Sequence, residues 1–138
     1  MVNRLLWSFL GSDPDRDDIA HDIFIKILRG VHRVRDSSRL EAWAMRVTMN
    51  SVKNEFRRRK LRRFLSLDLL GDEDHPRVHP DFVGRELLVR AERVLEALPV
   101  EERLAVTLQL FEEATAERIA EVCGFSVRTA KRRLSTGR

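Results

Sequence analysis

Apolar residues recur at helical spacing along most of the 138 positions, and no period-two alternation longer than a few residues appears. Leu5 to Leu10 reads as the end of a first helix, stopped at Gly11. Asp13-Pro14 predicts the start of a second, with an Asp cap, Pro in the first turn, and Asp17 and Asp18 near the positive end of the dipole. Its apolar positions, Ile19, Ala20, Ile23, Phe24, Ile27, Leu28 and Val31, are expected to face a core. That leaves Asp18, His21, Asp22, Ile25 and Lys26 on or near the outer face. The polar break Arg35-Asp36-Ser37-Ser38 precedes a third helix over about 39–63, with Ser38 and Glu41 as a capping box. Two apolar stripes run along it: Leu40, Trp43, Ala44 and Val47 on one, Met45, Met49, Val52 and Phe56 on the other. Such a helix is packed in a bundle at its start and emerges at its basic end, RRRKLRR at 57–63. Trp43 belongs to a continuous apolar stripe, so it is expected in the core rather than stacked on a base.

Residues 66–84 break the periodicity with Gly71, Asp72, Glu73, Asp74, Pro76 and Pro80, and read as an acidic, flexible linker. Fully extended it would reach about 65 Å, so the units on either side need not touch. Three further helical stretches follow: Leu87 to Leu98, ending at Pro99; Glu101 to Phe111; and a pair over 116–134 with the form of a helix-turn-helix. Ile119, Ala120 and Val122 fill its core, Gly124 permits the turn, Ser126 caps the second helix, and Ala130 and Leu134 pack back. Cys123 is expected as a small core residue. Arg128, Thr129, Lys131, Arg132 and Ser135 remain as an outward face suited to a DNA major groove. The predicted fold class is all-α: two small helical domains, 1–65 and 85–138, joined by the linker at 66–84.

Composition narrows the picture. Charged residues make up 35% and hydrophobic residues 43%, which suits a soluble globular chain and not a disordered one. No apolar run approaches the roughly 18 residues of a membrane span, and the acidic stretch after Leu10 offers no signal-peptide cleavage site. One cysteine allows neither an internal disulfide nor a multi-cysteine metal site. The net charge is +4, but it is unevenly placed. Residues 1–66 hold 15 basic and 8 acidic side chains, residues 67–88 hold 2 and 6, and the last eleven hold five basic and none acidic. Two basic clusters on separate helices suit a polyanion, because each neutralised phosphate releases counterions. His75 and His79 with Asp72 and Asp74 have metal-ligand chemistry, but they fall in the Pro-containing linker, and no metal or other cofactor is expected. No nucleophile, base and orienting group can be placed together, so no catalytic site is expected either. From the residues alone, a dimeric helix-turn-helix regulator acting without polymerase and an adaptor binding an acidic protein remain open.

Four segments in order resemble the bacterial sigma factors of the extracytoplasmic-function type. RDDIAHDIFIK at 16–26 is similar to that family's polymerase-binding segment, with His21 where Gln is usual. WAMRVTMN at 43–50 matches its Trp-x-x-Arg-x-x-x-Asn pattern ahead of the basic helix. Leu98-Pro99 with Glu101, Glu102 and Arg103 resembles the opening of its second domain, and the helix-turn-helix resembles its upstream-element reader, with Arg128 and Arg132 in place of the usual small residues. The resemblance implies a transcription initiation factor, not an enzyme. Asp17, Asp18, His21, Asp22 and Ile25 would dock on core RNA polymerase. Arg35, Ser37 and Ser38 would accept a flipped base, Asn50 would contact the separated strand, and Lys53, Arg57, Arg58, Arg59 and Lys60, with Arg62 and Arg63, would hold phosphates of the downstream element. Ser126, Arg128, Thr129, Lys131, Arg132 and Ser135 would read the upstream element. It further implies a cytoplasmic chain, monomeric when free, held inactive at the membrane by an anti-sigma factor. Both ends look shorter than the family's.

Overall fold

The computed structural model describes residues 1–66, 90–91 and 93–136. The linker expected at 66–84, the start of the helix expected from Leu87, and the His75/His79 grouping with Asp72 and Asp74 lie outside the described residues, apart from the backbone of Ser66. Among the described residues every regular element is helical: α1 (Val2–Leu10), α2 (Arg16–Gly30), α3 (Leu40–Ser66), α4 (Val100–Glu112), α5 (Ala116–Cys123) and α6 (Val127–Thr136). Short 3-10 turns at Val31–Arg33 and Ser37–Arg39 join α2 to α3, and residues 93–97 are helical ahead of Pro99. The all-α expectation holds.

α1 is amphipathic and buries Val2, Leu5, Leu6, Phe9 and Leu10. Gly11 stops it at φ 56°, a backbone region closed to most side chains, and its N–H returns to the Trp7 carbonyl. The second helix begins later than Asp13-Pro14 suggests. Asp13 instead accepts from the Asp15 N–H at 2.9 Å, and Asp15 stands at the cap without a side-chain bond. The capping box is also displaced: the Ser38 hydroxyl donates to the Asp36 carboxylate at 2.6 Å instead of capping α3, and the same carboxylate accepts the Ser38 N–H at 3.0 Å. Asp36 holds that position because a short acceptor one residue before a 3-10 turn reaches the free N–H of the turn's second residue.

Along α3 the stripe of Met45, Met49, Val52 and Phe56 is buried, while Leu40, Trp43 and Val47 are only partly covered. Trp43 lies against the end of α2, so close that a Cβ at Gly30 would sit 2.7 Å from its ring. Phe56 meets Phe9 of α1 edge-on, with ring centroids 6.2 Å apart. Thr115 caps α5 through the Arg118 N–H, Gly124 turns at φ 71°, and Ser126 caps α6 through the Thr129 N–H at 3.1 Å. Ile119, Ala120, Val122, Ala130 and Leu134 are buried as the helix-turn-helix pattern requires.

The two halves touch. One cluster of buried residues runs from Leu5, Leu6 and Met49 through to Leu104, Leu108 and Ile119, so α4 and α5 pack on α1 and α3. A linker long enough to keep the units apart does not oblige them to separate.

Candidate polymerase and nucleic-acid surfaces

On α2 the structure exposes Asp17, Asp18, His21 and Asp22, while Ile25 is half-buried. The apolar side chains that reach solvent are others. Phe24 is 44% exposed and Leu28 71%, with Val31 following. These three were expected in the core. Residues 17, 21, 24 and 28 share one helix face by their spacing, so this surface combines an acidic end with an apolar middle. The buried side needs only Ala20 and Ile23, with Ile19 and Ile27 against the same core.

The loop before α3 holds Arg35, Ser37 and Ser38 at the surface. Asp36 organises it: its bonds to the Ser38 hydroxyl and N–H hold its carboxyl below the usual carboxylate range. On α3, positions 46, 50, 53, 57 and 60 fall on one face. They bring Arg46, Asn50, Lys53, Arg57 and Lys60 into a single stripe, with Asn50 and Lys60 exposed.

The basic run itself is divided. Arg59 points inward, pairing with Asp13 and Glu55 and approaching Asp15 at 3.7 Å. Burial alone disfavours its charge, but the Asp13 and Glu55 carboxylates outweigh that, and its pKa lies above the ordinary guanidinium value. Glu55, nearly covered, also receives Arg58 at 2.6 Å and Arg62 at 3.6 Å. Arg59 is thus engaged by carboxylates rather than presented to solvent, unlike the phosphate contact expected of it. Arg63 lies 3.7 Å from Glu96. Lys60 has no ion pair among the described residues.

The second half uses the same stripe. Lys53, Arg57 and Arg133 converge on the Glu101 carboxylate, at 3.2 Å for Lys53 and 3.8 Å for Arg133. Burial alone would raise the Glu101 pKa, but its backbone N–H, Lys53 and Arg57 overcome this and lower it. Arg46 donates to the Glu121 carbonyl from Nη2 at 2.8 Å and Nε at 3.2 Å. Lys53 and Arg133 also lie over the Phe125 ring, and Arg103 over Phe56 at 4.0 Å.

On α6, Arg128, Lys131, Arg132 and Ser135 are exposed, with Ser126 at the cap and Thr129 half-covered. Lys131 makes a loose surface pair with Glu117 at 3.7 Å, which costs little to break. The outward face is open.

Residues 1–62 match the family model for sigma-70 region 2, and residues 88–138 match that for sigma-70 region 4. The chain belongs to the extracytoplasmic-function sigma factors. The match of the first half to region 2 leaves the dimeric regulator unfavoured, and the sigma-factor family is one of transcription initiation factors. Among curated relatives it is 29% identical to the extracytoplasmic-function sigma factor SigE of Mycolicibacterium smegmatis, over 99% of this chain and 54% of that protein. It is 26% identical to SigV of Bacillus subtilis, over 95% of this chain and 76% of the relative. The chain thus spans about half the length of the first and three quarters of the second. Two solved structures share the fold. One is the sigma factor RpoE in complex with the anti-sigma factor NepR from Bartonella quintana, with TM-score 0.72 and 23% identity over 99% of this chain and 84% of that one. The other is CnrH in complex with the cytosolic domain of CnrY, with TM-score 0.65 and 22% identity over 99% and 74%. No helix of the described residues is long and apolar enough to cross a membrane.

Proposed function

We propose that this sigma factor docks on core RNA polymerase through the outer face of α2, holds the opened downstream element on the α3 stripe, and reads the upstream element with α6. The observation that carries the reading is the combination, in one chain, of an α2 face with exposed Phe24 and Leu28 beside Asp17 and His21, and an α6 face whose Arg128, Lys131 and Arg132 are all exposed. A helix face with unburied large apolar side chains beside acids suits a protein partner. A short, capped helix with basic side chains outward suits a major groove.

Within that reading Asn50 contacts a base or backbone of the separated strand, and Arg57, Arg58, Lys60, Arg62 and Arg63 supply phosphate contacts that give affinity rather than sequence choice. Lys53 joins them when it is released from Glu101, and the Arg35–Ser38 loop receives an unstacked base. Arg59 is left out, because its carboxylate partners already occupy it.

An anti-sigma protein is the expected regulator, tethered at the membrane while the chain stays cytoplasmic and monomeric when free. Support comes from the solved relative that is held by the anti-sigma factor NepR, and from CnrH held by the cytosolic domain of CnrY. Run-off transcription with purified core polymerase tests the reading. Promoter-dependent transcripts that require the added chain are expected; duplex binding by a dimer with no effect on polymerase would overturn it.

A further inference from the structure

Phe56 is the last side chain of α3 that is buried; from 57 to 65 none is, so the helix runs for more than two turns clear of the core. One side of this extension is taken up in holding it. Glu55 gathers Arg58, Arg59 and Arg62, and Arg63 lies near Glu96. The other side carries Arg57, Lys60, Leu61, Phe64 and Leu65. Arg57 keeps 54% of its side chain exposed even beside Glu101, and Lys60 has no ion pair among the described residues. Phe64 is 74% exposed, more than any other large hydrophobic residue among those described. Its position follows a pattern. Steps of four and three residues from Arg46 through Asn50, Lys53, Arg57 and Lys60 lead next to position 64, so the ring stands in the α3 stripe. At 1.5 Å per residue it lies about 6 Å along the axis from Lys60, about 10 Å from Arg57 and about 21 Å from Asn50. The last distance is about six nucleotides at duplex spacing, and fewer for an extended strand.

We infer that Phe64 is a stacking platform for an unpaired base, holding the strand at the far end of the α3 stripe from Asn50. The inference rests on the reading of α3 as the helix that holds the opened strand. Cations followed by an exposed aromatic ring suit a single strand: charge holds the phosphates, and an unpaired base offers a π face that a duplex keeps inside its own stack. Leu61 and Leu65, 58% and 59% exposed, border the ring and extend the apolar surface under the base. In area alone, three such side chains also suit a protein or a lipid surface. The register that Phe64 shares with Asn50, Arg57 and Lys60 is what selects nucleic acid. Stacking carries no hydrogen-bond code, so Phe64 adds affinity and placement rather than base choice. The contact needs no separation of the two halves. The Glu121 carbonyl holds Arg46 and Glu101 holds Lys53, nearer the start of the stripe, while Lys60 and Phe64 stay exposed at its end.

The full chain and its variants are titrated against a fluorescent oligothymidine and against a duplex of mixed sequence. Phe64→Ala should weaken single-strand binding about tenfold, Phe64→Leu nearly as much and Phe64→Trp not at all, with duplex affinity changed less than about twofold in each. Lys60→Ala should weaken binding to both, since it acts through phosphate. Leu110→Ala removes an apolar side chain that is 64% exposed on α4, and should change neither. All four positions are exposed or lie outside the core, so the melting temperatures should stay together. Single-strand binding by Phe64→Leu equal to that of the wild type would overturn the inference and point to a protein or lipid contact instead. Equal losses on single strand and duplex, or no single-strand binding by the wild type, would overturn it as well. Run-off transcription with core polymerase and the wild-type chain is measured alongside. Its failure would sink the sigma reading and leave a ring-dependent single-strand contact standing.

Discussion

Arg59 on α3 grips Asp13 in the α1–α2 loop with both terminal nitrogens, Nη2 reaching Oδ1 at 3.3 Å, across 46 positions of sequence. The same guanidinium donates from Nε to Glu55 at 2.6 Å, so one side chain ties the loop to the helix and neutralises a nearly covered carboxylate. Replacing Arg59 by Ala is expected to destabilise the chain by about 2–3 kcal/mol, less than for a fully buried pair because Arg58 and Arg62 still reach Glu55. Lys60→Ala, one residue on, should stay within about 0.5 kcal/mol. Urea denaturation of both variants checks the contrast. Equal losses would mean that Arg59 is an ordinary surface cation.

Phe24 and Leu28 contribute little to their own fold, being exposed on α2. Phe24→Ser and Leu28→Ser should therefore leave the melting temperature nearly unchanged and weaken core-polymerase binding at least tenfold, as expected of apolar anchors in a protein contact. Charge reversal at Asp18 and Asp22 should act in the same direction. Co-purification with core enzyme, with melting curves beside it, is the measurement; undiminished capture would remove α2 as the docking surface.

Two kinds of DNA contact should separate in a salt series. Arg58→Ala or Lys60→Ala should weaken holoenzyme binding about equally on all promoters and reduce the salt slope by about one unit. Lys131→Ala or Arg132→Ala on α6 should cost about 1–3 kcal/mol on the preferred upstream element and much less on a scrambled one. Equal losses on both sequences would make α6 a second phosphate clamp.

Acid should act through Glu101. Its native pKa lies below its usual 4.5, so its pairs stabilise the native state fully above that value. That contribution is lost as pH falls from 4.5 through the lowered native pKa. Between pH 5 and pH 3 the denaturation midpoint of the wild type should fall more than that of Glu101→Gln. Parallel curves would show that the carboxylate is not engaged.

Cys123 offers a probe of the helix-turn-helix. Burial pushes its thiol up to about 12, against the weaker pull of Lys53 and Arg133. At pH 8 almost no thiolate is present, so labelling by a maleimide should be slow in the native chain and fast in urea. Fast native labelling would show that α5 and α6 open readily.

The helix-turn-helix was legible because its signals are local: a capping serine, a glycine forced to positive φ, and a short apolar period. The outer face of α2 was half legible. The acids stood out, but Phe24 and Leu28 fit the same 3.6-residue period as Ile23 and Ile27, and periodicity cannot tell a side chain that packs on its own core from one left for a partner. Arg59 was hidden for a related reason, since composition treats it like Arg58 and Lys60 while a rotation of about 100° turns it inward. Glu101 could not have been found. Its partner Arg57 lies 44 residues away, and nothing in a linker's composition says how the units beyond it will meet.

The indole of Trp43 stands where a side chain at position 30 would begin. Position 30 is not free to vary alone: any residue larger than glycine there demands a smaller ring at 43, or a wider crossing of the two helices. That crossing fixes the angle between the exposed α2 face proposed for polymerase and the α3 stripe proposed for the opened strand. One missing methyl group therefore sets the bearing of the two surfaces proposed to engage different macromolecules at once.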